Sequence, residues 1–213
     1  PKYLTILKQT GHRLAANFQQ FPVSILYDVD LDEETQPVEW ESVNFFEVGY
    51  GILRNTTERG TVSLLMDYGQ SGSHDHPDKL NIDGWGFGDR LLPDPGSVWY
   101  EDPMYRNWYR PTVSHNTLVV DELSQAMGGR VDPDQLVYAP AERMGLQRAR
   151  VDTAYSGVMM DRTVFITPEY TADLFGAFAG LPRTMDLAWH PVGELDSTTL
   201  ELGDFTFPEP RRP

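Results

Sequence analysis

The chain has 213 residues and carries 17 Lys plus Arg against 32 Asp plus Glu, a formal net charge of −15. So acidic a surface repels phosphate backbones, which argues against general nucleic-acid or anionic-membrane binding; a polyanionic ligand would need a local basic pocket. Cys is absent, which excludes disulfides and thiolate metal sites. No apolar run approaches the roughly 18 residues of a membrane span.

Residues 2–19 read as a helix. Leu4, Leu7, Gly11, Leu14 and Phe18 fall on one stripe, and Pro22 ends it. Beyond Pro22 the period changes to two, with a strand candidate from Val23 to Tyr27. Phe46, Val48, Tyr50 and Ile52 alternate with Phe45, Glu47, Gly49 and Gly51, which predicts one strand across 45–52. Further strands are predicted at Thr61 to Tyr68, Leu80 to Phe87, Asn116 to Asp121, Arg148 to Asp152, Val158 to Thr167, Tyr170 to Ala177 and Met185 to His190. Turn residues separate them at Asn55 to Gly60, Pro93 to Gly96, Gly128-Gly129, Pro168 and Pro182. Many strands with turns at short spacing predict a mainly β chain, an antiparallel β-sandwich or barrel. The polar stretch Tyr100 to Arg110 reads as a rim loop.

The chemistry gathers in one window. Three of the five His residues, His74, His76 and His115, lie within it. His74 and His76 are two apart, so in an extended segment they point to the same side, and Pro77 biases His76 toward that conformation. Asp94 sits in Leu91-Leu92-Pro93-Asp94-Pro95-Gly96, where its ordinary role is to cap turn N–H groups. Two imidazoles and a carboxylate, with no thiol, suit a zinc site or another transition metal, with ligands drawn from three neighbouring strands. Trp85, Trp99, Tyr100, Tyr105, Trp108 and Tyr109 share the window with Lys79, Arg90, Arg106 and Arg110. Flat aromatic faces beside fixed cations suit a uronate cleft; equally, the rings could be core and the arginines partners of the many acids.

The succession HDHPDK, LLPDPG, a Tyr-rich stretch and TVSHNTLVVDELSQ resembles the heparinase II/III-like polysaccharide lyases, and HNTLVVDE is closest in wording to their alginate-degrading branch. FFEVGYGILRN and VSLLMDYGQSG resemble the lead-in strands. The resemblance covers about residues 43–125. It implies an (α/α) toroid joined to a C-terminal antiparallel β-sandwich, and cleavage of an acidic polysaccharide by β-elimination. Residues 1–20 would then be a linker or the last toroid helix, and residues 21–213 the sandwich of a longer lyase whose toroid is missing here. By motif, His74 matches a catalytic His, while His76, Asp94 and His115 match the ligands of a structural zinc. Tyr100, Tyr105 or Tyr109 would be the proton donor. Lys79, Arg106 and Arg110 would grip substrate, with Asn116 and Gln125 as hydrogen-bonding partners. A periplasmic or secreted location follows from the resemblance alone.

Two rivals remain at this point. A cupin-like metal enzyme also uses HxH on β structure, but the first Glu after this motif is Glu101. A non-catalytic carbohydrate-binding sandwich would account for the aromatics and the acidity.

Overall fold

The structure is a computed structural model; it describes residues 40–72, 74–129, 131, 135–194, 198–199 and 203. The expected helix at 2–19, the strand at 23–27 and the C-terminal tail lie outside the described residues. The chain divides into two compact units, Pro1–Glu41 and Ser42–Pro213, and nearly all described residues belong to the second.

That second unit is mainly antiparallel β. Five strands, β1 (Val43–Phe45), β2 (Tyr50–Thr57), β3 (Gly60–Asp67), β4 (Ile82–Gly86) and β5 (Asp89–Leu92), pair in chain order. After β6 (Leu118–Val120), a second sheet forms from β7 (Leu136–Ala139), β8 (Gly145–Tyr155), β9 (Val158–Ile166) and β10 (Thr171–Ala179), in the order β10-β9-β8-β7. The short β11 (Met185–Leu187) pairs with β6. Strict alternation explains the layering. Every second residue of β9, from Val158 to Ile166, is buried, and Leu53, Leu64 and Met66 of the first sheet meet Ala149, Val151, Met160, Val164 and Ile166 of the second in one core.

The predicted single strand over 45–52 is instead a hairpin. Gly49 adopts φ +90°, and a Cβ there would strike the Gly69 backbone, so the chain turns where the periodicity ran straight through. Gly51 lets the sheets approach: a Cβ on it would overlap the Gln147 amide from β8. The stretch Tyr100 to Arg110, expected as a plain loop, winds into a π-helical turn, Tyr105–Tyr109, that buries Tyr105. β7 has no counterpart among the predicted strands; its alternation of half-buried and exposed residues is that of an edge strand.

Candidate metal centre and cleft

Two connections build the site. One runs from β3 to β4 and carries His74, His76, Asp78 and Lys79; the other runs from β5 to β6 and carries Asp94, Tyr100, the π turn and His115. The metal-type side chains therefore sit on loops, not on three neighbouring strands as expected.

His115 is fully buried. Its Nδ1 lies 2.6 Å from Asp94 Oδ2 and 3.5 Å from Asp78 Oδ2. Asp78, Asp94 and His115 each offer a ligand atom within 4.8 Å of the others, a group that could hold a metal ion. The residues fit such an ion by their chemistry. Two carboxylates and an imidazole are a divalent-cation donor set, and His115 Nδ1 faces both carboxylates; its Nε2, across the ring, is buried with no hydrogen-bond partner among the described residues. His76, expected as a ligand, is not in this group; its ring packs against His115, with centroids 5.1 Å apart, and edge-on to Tyr105. Asp78 completes the group instead, with His76 alongside. It stands two residues beyond His76, the same alternate spacing that relates His76 to His74.

The loops are tied by buried side chains. Asn81 Nδ2 donates to Asp94 Oδ2 at 2.8 Å, and Asn81 Oδ1 accepts from the Asn116 N–H at 2.8 Å. Asn116 Nδ2 donates to the carbonyls of Ile82 and Pro93, and its Oδ1 accepts from the His190 N–H. Gln125 Oε1 accepts from the Lys79 N–H while its Nε2 donates to the Lys79 carbonyl. Lys79 Nζ donates to Ser71 Oγ. Lys79, Asn116 and Gln125 are 1%, 0% and 4% exposed. They form the floor of the site: burial leaves the Lys79 ammonium no surface to offer a substrate, contrary to expectation, and Asn116 and Gln125 stand as hydrogen-bonding partners behind the cleft.

Arg162, on β9, supplies what the sequence did not signal. Its Nε and Nη2 grip Asp173 at 2.9 and 2.6 Å, while Nη1 donates to the carbonyls of Leu80 (2.7 Å) and Asn116 (2.5 Å). Leu80 sits at φ +61°, a conformation that costs a non-glycine residue and persists because its neighbours hold it.

Around the metal group opens a cleft of about 330 Å³, lined by Tyr50, Leu65, Asp67, His74, Asp75, His76, Asp78, Asn81, Asp83 and Asp94 together with Gly96 and Ser97. Burial, then Asp67 and the other carboxylates, push the Asp78 carboxyl well up. Burial pushes Asp67 up to about 7, against the Gly69 N–H and Lys79. Burial alone would raise Asp94, but the His115 hydrogen bond and charge and the Gly96 N–H hold it below the usual carboxylate value. Burial, then the charges of His115 and Arg110, push the His76 imidazole down.

At the rim, exposed His74 pairs through Nδ1 with the Tyr100 hydroxyl at 2.8 Å. Tyr100 meets Tyr105 edge-on, which in turn meets His76, so an unbroken line of rings runs from His74 to His115. Tyr109 and Arg106 make no hydrogen bond to this set of side chains among the described residues; Arg110 lies close enough for its charge to act on His76.

Against known proteins, the profile of the heparinase II/III-like C-terminal domain matches residues 37–177. The chain belongs to this family. An alginate lyase of Stenotrophomonas maltophilia is 30% identical over 183 residues, covering 76% of this chain and 25% of that protein. An exo-oligoalginate lyase of Saccharophagus degradans is 25% identical over 156 residues, covering 63% and 21%. Among solved structures, a heparinase III gene product superposes with a TM-score of 0.67 at 22% identity, covering 92% of this chain and 31% of that one. The heparan sulfate lyase of Pedobacter heparinus gives 0.64 at 16% identity, covering 89% and 29%. The sandwich fold is thus that of the family's C-terminal domain, and the family is one of polysaccharide lyases. The chain spans a quarter or less of the length of the curated relatives it matches. No described helix is long and apolar enough to cross a membrane.

Proposed function

We propose that this domain forms one wall of the active cleft of a polysaccharide lyase that cleaves a uronate polymer, alginate first among the candidates, by β-elimination. The observation that carries the reading is the exposed His74 imidazole hydrogen-bonded to the Tyr100 hydroxyl at the mouth of a cleft beside a metal-type group. A uronate proton α to the carboxylate is weakly acidic, so elimination needs a base, an acid for the leaving oxygen and neutralisation of the carboxylate. His74 takes the C5 proton, the electron pair forms the C4=C5 double bond, and the C4–O bond breaks toward the departing sugar. Tyr100 gives its proton to that oxygen. The 2.8 Å bond between the two then passes the Nδ1 proton from imidazolium to phenolate, and exchange with solvent at the exposed ring restores the starting tautomer. Arg110, beside His76, and Arg106 are available to a substrate carboxylate.

Asp78, Asp94 and His115 would hold a zinc or another divalent ion, with His76 alongside. When bound, the ion supplies positive charge that offsets the carboxylates and ties the two loops together. Partner surfaces of the cleft would come from a toroid elsewhere in the same protein, acting in the periplasm or outside the cell. The test is the full-length His74→Ala variant on a panel of uronate polymers, read by the ultraviolet absorbance of the unsaturated product. Loss of product with the metal content retained is expected; wild-type turnover in that variant overturns the assignment. A non-catalytic sugar-binding sandwich has no observation in its favour that the lyase reading lacks.

A further inference from the structure

The cleft does not end at its acidic wall. Asp83 lines it from β4, and strand alternation places Trp85 on the same face two residues on, about 7 Å further along the sheet. Ile82, Gly84 and Gly86 point the other way, into the core side, and are buried. Trp85 is 47% exposed. Across the hairpin it pairs directly with Arg90, whose guanidinium carbon sits 5.4 Å from the indole centroid. Arg90 does not swing freely. Its Nε and Nη2 donate to Asp83 at 3.3 and 2.7 Å, which fixes the plane of the guanidinium and leaves Nη1 without an acceptor among the described residues. A flat apolar face, an oriented cation with an open N–H edge and a shared strand with the cleft wall stand in one row.

That row has a chemical meaning. The cleft carries Asp67, Asp75, Asp78, Asp83 and Asp94, so an anionic chain lying in it needs positive charge just outside. Arg90 cancels the carboxylate nearest to it by pairing with Asp83, and its remaining N–H edge gives an anion an oriented donor there. Indole rings take the C–H face of a sugar, and an oriented guanidinium takes a carboxylate or sulfate on its edge. We propose that Trp85 and Arg90 form a subsite for an anionic sugar residue, about one sugar beyond the residues that line the cleft, with the ring on the indole and the acid group on Arg90 Nη1. The proposal rests on the polyuronate reading above, and it adds a determinant of chain length and of substrate charge.

The experiment measures binding, by calorimetry, of uronate oligomers of increasing length to the full-length protein in a His74→Ala background, where cleavage does not deplete the ligand. Affinity is expected to rise about tenfold, or 1.4 kcal/mol, at the length that first reaches Trp85. Trp85→Ala and Arg90→Gln lose that step, Trp85→Phe regains most of it, and neutral oligosaccharides of the same lengths never show it. Alginate-derived and heparin-derived oligomers, run side by side, tell whether a carboxylate or a sulfate fills the Arg90 edge. A length step that survives both substitutions, a step equal for neutral sugars, or no uronate binding at all overturns the subsite. If the step appears and depends on both residues while the wild-type protein cleaves none of the polymers, the subsite stands and the lyase reading falls. If the polymers are cleaved without such a step, the reverse holds.

Discussion

Arg162 donates to the carbonyl of Asn116, the residue that follows His115, from the middle of the opposite sheet. The same guanidinium is bidentate to Asp173, and the pair is almost wholly buried. Its removal leaves a carboxylate in the core without a counter-charge and two carbonyls without a donor. Arg162→Met is therefore expected to cost about 3–5 kcal/mol in urea denaturation. The double variant Arg162→Met with Asp173→Leu should cost clearly less than the single one, because no charge is then stranded. An equal or larger loss in the double variant would show that the carbonyl contacts, not the ion pair, dominate.

Metal content separates two ligand sets. With Asp78, Asp94 and His115 as the group, His115→Ala and Asp78→Asn should each lower affinity for a divalent ion by at least the roughly 10–100-fold that loss of an outer-shell partner costs. His76→Ala should have the smaller effect, since its ring lies beside His115 outside that group. Titration with zinc, followed by calorimetry, reads the order; a larger loss for His76→Ala than for Asp78→Asn reverses the ligand assignment.

Asp67 makes stability pH-dependent. Its carboxyl is pushed up to about 7 by burial, so the folded state holds a proton that the unfolded chain releases near the ordinary carboxylate value. The contribution is fully present below about pH 4, falls as pH rises through 7, and is flat above. Its span is on the order of a few kcal/mol. Asp67→Asn keeps an acceptor for the Gly69 N–H and should flatten this limb and raise the melting temperature at pH about 8, in the presence of chelator. An unchanged pH profile in the variant would assign the limb to another group.

Gln147 is buried with neither its amide oxygen nor its nitrogen partnered among the described residues. Gln147→Met keeps the shape without the polar atoms, and the expected outcome is about 1–3 kcal/mol of added stability by denaturant midpoint. A loss instead would mean that the amide has a bridging water.

The strands β8 and β9 were readable because each buries one face, and a period of two is a direct imprint of that. The Gly49 turn was not, since alternation continues through a tight hairpin whose positive φ leaves no mark in polarity. At the site, His74, His115 and Asp94 could be picked by residue type, and Tyr100 was one of three tyrosines in view. Asp78 looked like any acid in an acidic chain. Lys79 has the chemistry of a substrate contact, and only burial reveals it as a support. Arg162 lies far along the chain in a strand that reads as plain core, and nothing local ties it to the loops it holds.

The span of those ties dictates an order of assembly. Arg162 meets Leu80 across 82 residues and Asn116 across 46, so both contacts close large loops and come at high entropic cost early in folding. The first sheet pairs strand to neighbouring strand, with its longest connection between β3 and β4. A nascent chain that has emerged only as far as β8 can thus hold all of His74, His76, Asp78, Asp94 and His115 and still lack the clamp that sets their backbones. The backbones that carry those side chains are pinned only when β9 docks, so a chain that ends before β9 leaves the Leu80 and Asn116 carbonyls without that donor.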